Sequence, residues 1–159
     1  TLIPAFNTET MVKNYVEKLY VPVFRRGELM QSRHGAIAAE VAGVKEFLRA
    51  NWPLVHIIDA RVQTTSVKRE KKVKLSATIY LGVLSPHFVE VEVCASRSSS
   101  NSAPLNLPMQ QKRDEGSGVY RYEISLPEKA GPWRVRVLPH HPALSHKHEL
   151  GLACWREVK

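Results

Sequence analysis

Trp133-Arg134-Val135-Arg136-Val137-Leu138-Pro139-His140-His141-Pro142 is the stretch that decides the fold class. Trp133, Val135 and Val137 fall on one side of an extended backbone, and Arg134, Arg136 and Leu138 on the other. That period of two is what a half-buried β-strand requires. The Pro-His-His-Pro corner stops it, because proline donates no ladder hydrogen bond and fixes its own φ. After Ala143 to His148, a second short strand is expected to carry Leu150, Leu152 and Cys154 on one face. Two such strands need partners, so an all-β body is expected upstream.

The upstream sequence supplies them. Ile58, Ala60 and Val62 alternate with Asp59, Arg61 and Gln63. Val73, Leu75, Ala77, Ile79 and Leu81 alternate with Lys74, Ser76, Thr78 and Tyr80. Val89, Val91 and Val93 alternate with Glu90, Glu92 and Cys94, and Tyr120, Tyr122, Ile124 and Leu126 with Arg121, Glu123 and Ser125. About six strands without intervening helices, each with one apolar face, predict two antiparallel sheets packed face to face, in an immunoglobulin-like β-sandwich. The polar stretch 96–118, rich in Ser, Asn, Pro and Gln, reads as one long loop.

The first fifty residues have a different period. Asn7 and Thr8 offer a cap before Met11, Val12, Tyr15, Val16, Leu19 and Tyr20, an apolar stripe at spacings of three and four, with Pro22 as the expected stop. Beyond Arg25-Arg26-Gly27 a second helix carries Ile37, Val41, Val44 and Leu48 on one face and ends at Trp52-Pro53. The expected organisation is therefore a mainly β protein: two α-helices over residues 1–51, then an antiparallel sandwich over 52–159.

Of the 159 residues, 43% are hydrophobic and 24% charged, as in ordinary globular domains. No apolar run approaches the roughly 20 residues of a membrane helix, and no signal-peptide pattern opens the sequence. A cytoplasmic location with two reduced thiols, Cys94 and Cys154, is the expectation; an intersheet disulfide is the weaker one. That residue 1 is Thr rather than Met predicts a piece of something longer. The net charge of +8 raises the question of nucleic acid. Its sources are scattered over Arg25-Arg26, Lys68 to Lys72, which lies between two strand patterns and reads as a solvated hairpin loop, and Lys112-Arg113, without the aromatic strands of RNA-binding sheets, so nucleic acid is not the expected partner.

Seven histidines invite a metal reading, with His140, His141, His146 and His148 close together. Adjacent His140 and His141 would point to opposite faces of an extended chain, and a histidine-rich corner between strands is the better reading. No phosphate loop, nucleophile elbow or Ser/Cys–His constellation is present. Asp59 and Glu149 read as lone solvent-facing or turn-capping carboxylates. Among the aromatics, Tyr80 alone is out of phase with its apolar neighbours, which makes it the candidate for stacking on a sugar. Trp52, Trp133, Trp155, Tyr120 and Tyr122 read as core.

Pro4-Ala5-Phe6-Asn7-Thr8-Glu9-Thr10-Met11-Val12-Lys13-Asn14-Tyr15 resembles a helix of the α-glucan phosphorylases. The segment from Trp133 to Pro142, with His148-Glu149-Leu150-Gly151-Leu152, is similar to the last strands of their long bacterial and archaeal forms. The resemblance covers residues 1–30 and 130–156. It implies a parent enzyme that cleaves α-1,4-glucans with phosphate, giving glucose 1-phosphate, with pyridoxal phosphate on a lysine of an upstream G-T-S-x-M-K segment. No such segment occurs here, and Lys13 and Lys18 match no cofactor position, so this chain is expected to carry no cofactor, metal or catalytic residue. By this reading it is a non-catalytic C-terminal domain for docking, stability or glucan holding. Its expected partners are the catalytic lobes, reached through Met11, Tyr15 and Leu19, and α-glucan; an oligomer is a further option. The alternative is a self-standing module that binds a polysaccharide, or a polyanion through a basic stripe of Arg25, Lys68 and Lys112.

Overall fold

The structure, a computed structural model, describes residues 7–67, 70–95, 105–127 and 132–158. They fall into two compact units, divided after Val44.

The first unit is helical. Helix α1 (Thr8–Tyr15) starts where Asn7 caps it, the Asn7 side chain accepting from the Thr10 amide at 2.8 Å. The chain does not stop at Pro22. A π-helical turn (Val16–Tyr20) leads directly into α2 (Val21–Gln31), in which Pro22 occupies the first turn. The wider turn, closed by the Val21 amide on the Val16 carbonyl, lets a residue without an amide proton begin a new helical segment. Gly27, expected to lie in a break, is inside α2. Arg33 and His34 have φ of 52° and 55°, and Gly35 follows at 82°, so a left-handed turn separates α2 from α3 (Ala36–Asn51). Trp52-Pro53 ends α3 as expected, in a short 3-10 turn.

The second unit begins with the last turns of α3 and holds eight strands. These are β1 (His56–Val67), β2 (Glu70–Tyr80), β3 (Val89–Ala95), β4 (Leu105–Pro108), β5 (Gln110–Gly116), β6 (Val119–Pro127), β7 (Trp133–Pro139) and β8 (Cys154–Glu157). One antiparallel sheet runs β1-β2-β6-β5 and the other β4-β3-β7-β8. Two interleaved four-stranded sheets in this order have the immunoglobulin-type arrangement, with the chain crossing between sheets after β2, β4 and β6. Leu75 and Ile79 from the first sheet and Val91, Val93, Val135 and Val137 from the second are fully buried between them.

Four expectations change. The predicted loop 96–118 contains β4 and β5; residues 96–104 lie outside the described residues. Strand β5 is exposed along its whole length, so its pairing with β6 rests on backbone hydrogen bonds that no apolar pattern announces. In β1 the register shifts between Ile57 and Asp59, and this bulge turns Ile57 inward and leaves Ile58 44% exposed. Ala60 keeps its predicted inward place. The last strand begins only at Cys154, because residues 142–150 form turns. Of the stretch Lys68 to Lys72, expected as a hairpin loop, Lys68 and Arg69 lie outside the described residues, and β2 already begins at Glu70.

Between β5 and β6, Gly116, Ser117 and Gly118 all have positive φ. A Cβ on Gly118 would stand 2.5 Å from the Gly82 carbonyl oxygen, so only glycine fits there.

Candidate functional site

The outer face of the second sheet gathers the charged groups. Glu92 of β3 lies directly opposite Arg136 of β7, and alternation sends both away from the sandwich core. Glu92 is nevertheless only 2% exposed. Its Oε2 accepts from Arg136, at 3.1 Å from Nε and closer from Nη2, while its Oε1 accepts from Lys147 Nζ. Lys147 also reaches Glu90 at 3.5 Å. Burial pushes the Glu92 carboxyl up, but the hydrogen bonds from Lys147 and Arg136 outweigh it and hold the group below its ordinary value. Lys147 is shifted the other way, upward, chiefly by its bond to Glu92. Both directions describe one ion cluster that stays charged.

Lys147 arrives from the turns after β7, which are tied down at several points. The His140 amide donates to the Phe88 carbonyl at 2.8 Å, and the His141 ring stacks on Phe88 at 5.4 Å. His141 Nδ1 accepts from the Ala143 amide at 3.1 Å, and Leu144 is buried. Phe88 in turn meets Phe47 of α3 at 5.5 Å. Glu149 accepts from the Ser145 amide at 2.5 Å and pairs with Lys45, so the turns are tethered to the last part of α3. The Lys45 hydrogen bond, opposed by burial and assisted by Ser145, draws the Glu149 carboxyl down to about 2. Glu149 is thus a turn cap, as the sequence indicated, but with a partner. Asp59 likewise pairs with Arg61 at 2.6 Å.

Beside this cluster opens a cleft of about 400 Å³, lined among others by Glu90, His140, His141, His146 and Lys147. His140 and His141 therefore border one space, because the chain has already left the extended conformation that would separate them. Among the described residues no three His, Cys, Asp or Glu side chains are disposed to hold a metal ion. At the other end of the same face, Trp155 of β8 pairs with Arg136. The guanidinium of Arg136 lies 4.9 Å from its ring centroid and that of Arg134 5.5 Å. Trp155 keeps 47% of its surface exposed, so the indole expected in the core is on the outside. Its phase could have been read: Cys154 faces inward opposite Val137, which turns its neighbour out. Glu92 and Lys147 gave no comparable signal, being partners 55 residues apart.

The other predicted residues are dispersed. Tyr80 is half-buried on the outer face of the first sheet, its ring 5.1 Å from that of His56. Met11, Tyr15 and Leu19 are exposed in the helical unit. Trp52, Trp133 and Tyr122 are core residues as expected; the Tyr122 hydroxyl has no hydrogen-bond partner among the described residues, and burial raises it to about 12. Cys94 and Cys154 are free thiols on opposite faces of one sheet, the first paired with Arg134 and the second with Val137. Of the proposed basic stripe, Lys68 lies outside the described residues, while Arg25 and Lys112 belong to different units. No helix among the described residues is long and apolar enough to cross a membrane.

The sequence profile described as "Glycogen phosphorylase C-terminal domain" matches residues 52–157. The chain is 31% identical to a "Glycogen phosphorylase" of Mycobacterium bovis over 96% of its own length and 18% of the relative's. The same figures hold for a "Glycogen phosphorylase" of Mycobacterium tuberculosis. A "Maltodextrin phosphorylase" of Thermococcus litoralis is 28% identical over 98% of this chain and 19% of its own. The chain thus spans about a fifth of the length of these relatives. No solved structure gives a significant match.

Proposed function

Because the chain belongs to the glycogen phosphorylase C-terminal domain family, we propose that it serves as the non-catalytic C-terminal part of a cytoplasmic α-glucan phosphorylase. It docks on the catalytic body of that enzyme and stabilises it. The parent reaction would be phosphorolysis of α-1,4-glucan to glucose 1-phosphate, with pyridoxal phosphate held by the catalytic body. The residues described here do not fit that cofactor. Lys147, the lysine beside the cleft, is held as an ammonium between Glu90 and Glu92, whereas a Schiff-base lysine must lose its proton.

The observation that carries the docking role is the stripe Met11, Tyr15 and Leu19, which leaves 51%, 48% and 52% of these side chains exposed on one face of the α1–π segment. Short helices are marginal in water and take their stability from a surface that covers their apolar face. Covering the exposed halves of three large side chains contributes about 1 kcal/mol each. The occupant is the catalytic body of a phosphorylase.

The test is co-purification of this chain with such a catalytic body. Tyr15→Asp with Leu19→Asp should abolish retention and leave the melting of the β-sandwich unchanged. Melting of the sandwich in that variant would place the stripe in its core and remove the docking role. Release of glucose 1-phosphate by the purified chain alone would refute the non-catalytic assignment.

A further inference from the structure

We propose that the outer face of the second sheet, from Trp155 to the cleft beside Lys147, is a binding surface for a neutral oligosaccharide. Three observations converge. The first is an aromatic platform. Trp155 lies on β8, an edge strand, with two guanidiniums against its ring and about half of its surface open to solvent. A flat indole with one polar edge is suited to the apolar C–H face of a pyranose ring.

The second is continuity. Trp155 touches Arg136, Arg136 binds Glu92, Glu92 binds Lys147, and Lys147 reaches Glu90 at the rim of the cleft. One polar ridge therefore joins the indole to a cleft of about 400 Å³, a size in the roughly 300–1,000 Å³ range of small-ligand sites. His140 and His146 at its border are exposed, and imidazole, carboxylate and ammonium groups together offer both donors and acceptors to hydroxyls.

The third is charge. Arg134, Arg136 and Lys147 are matched by Glu90, Glu92 and Glu157, the last opposite Arg134 in the β7–β8 register. A face whose cations are already balanced gives little to a polyanion, although the whole chain is strongly basic. A neutral, hydroxyl-rich ligand fits this balance. The identification of that ligand as α-glucan rests on the family reading above; the location rests on the geometry.

The experiment is native electrophoresis of the whole chain in gels with and without glycogen, with maltoheptaose as the competing ligand. The chain should be retarded by glycogen and released by maltoheptaose. Trp155→Ala should weaken retention about tenfold, which corresponds to about 1.4 kcal/mol of lost stacking. His146→Ala should weaken it by a smaller factor, and Tyr80→Ala, on the other sheet, should leave it within twofold. Should Trp155→Ala fail to fold, Trp155→Phe with His146→Ala carries the comparison. An unretarded wild-type chain overturns the proposal, as does retention that is unaffected by the Trp155 and His146 variants. Retardation in a gel cast with dextran sulfate but not in one cast with glycogen, and lost between low and moderate salt, identifies a polyanion site and overturns it as well. A chain that docks on a phosphorylase body yet ignores glycogen would sink this inference alone and keep the accessory-domain reading.

Discussion

The two sheets turn their outer faces to different surroundings. On the first, Lys74, Ser76, Thr78 and Tyr80 of β2 stand beside Arg121, Glu123 and Ser125 of β6, none of them buried, and Lys74 pairs with Glu123 at 2.8 Å. On the second, β3 is buried on both sides, because the turns after β7 fold back and place Lys147 over Glu92. Both faces follow the same alternation of apolar and polar residues. The alternation reports which way a side chain points. Whether water or another stretch of chain is waiting there is decided by segments distant in sequence.

The contrast gives graded predictions. The largest effect is expected from Glu92→Ala, which leaves Arg136 and Lys147 without their shared carboxylate under the covering turns. Removal of one partner from a buried ion cluster costs on the order of 3 kcal/mol, measured as a shift in the urea midpoint. If the loss were no greater than that of an exposed pair, Glu92 would be solvated and the two faces equivalent.

An intermediate effect is expected from acid. Glu149 titrates at about 2 in the folded chain, below its ordinary value of 4.5, and Glu92 is also held low. A carboxyl with a depressed folded pKa adds stability at neutral pH, where both states are ionised. That stability is lost as pH falls through about 4.5 toward 2, where the unfolded chain takes up protons first. After solvent screening the Lys45–Glu149 pair contributes about 1 kcal/mol. Thermal melts from pH 6 to pH 3 should fall less steeply for Glu149→Gln than for the parent chain; parallel curves would show that the tether carries no linked proton.

The smallest effect, under about 0.5 kcal/mol, is expected for Lys74→Ala on the solvated face. A cost comparable with that of Glu92→Ala would mean that the first sheet, too, is covered.

How far the sequence could be read follows from the same contrast. Val73 to Ile79, Tyr120 to Leu126 and Trp133 to Val137 show a clean period of two, and their faces are where that period puts them. The α3 stop at Trp52-Pro53 and the Asn7 cap are local chemistry and were equally legible. Three other features escape any local rule. The bulge at Ile58 exchanges which isoleucine is buried without changing composition. Strand β5 has no apolar residue to mark it and exists because β6 offers an unpaired backbone edge. The candidate site joins residues from β3, β7, β8 and the turns between the last two, a grouping fixed by tertiary packing. Tyr80, the sugar-stacking residue suggested by phase alone, lies on the other sheet from Trp155.

The form of β5 has a consequence for how the molecule behaves in a crowd. An open sheet edge is a template on which another extended chain can add itself, the first step toward fibrils. Here the edge of the first sheet carries Lys112, Arg113, Asp114 and Glu115, and its register breaks twice within seven residues. An incoming strand would meet interrupted hydrogen-bonding positions and desolvated charges, so growth from this border is halted at its first addition.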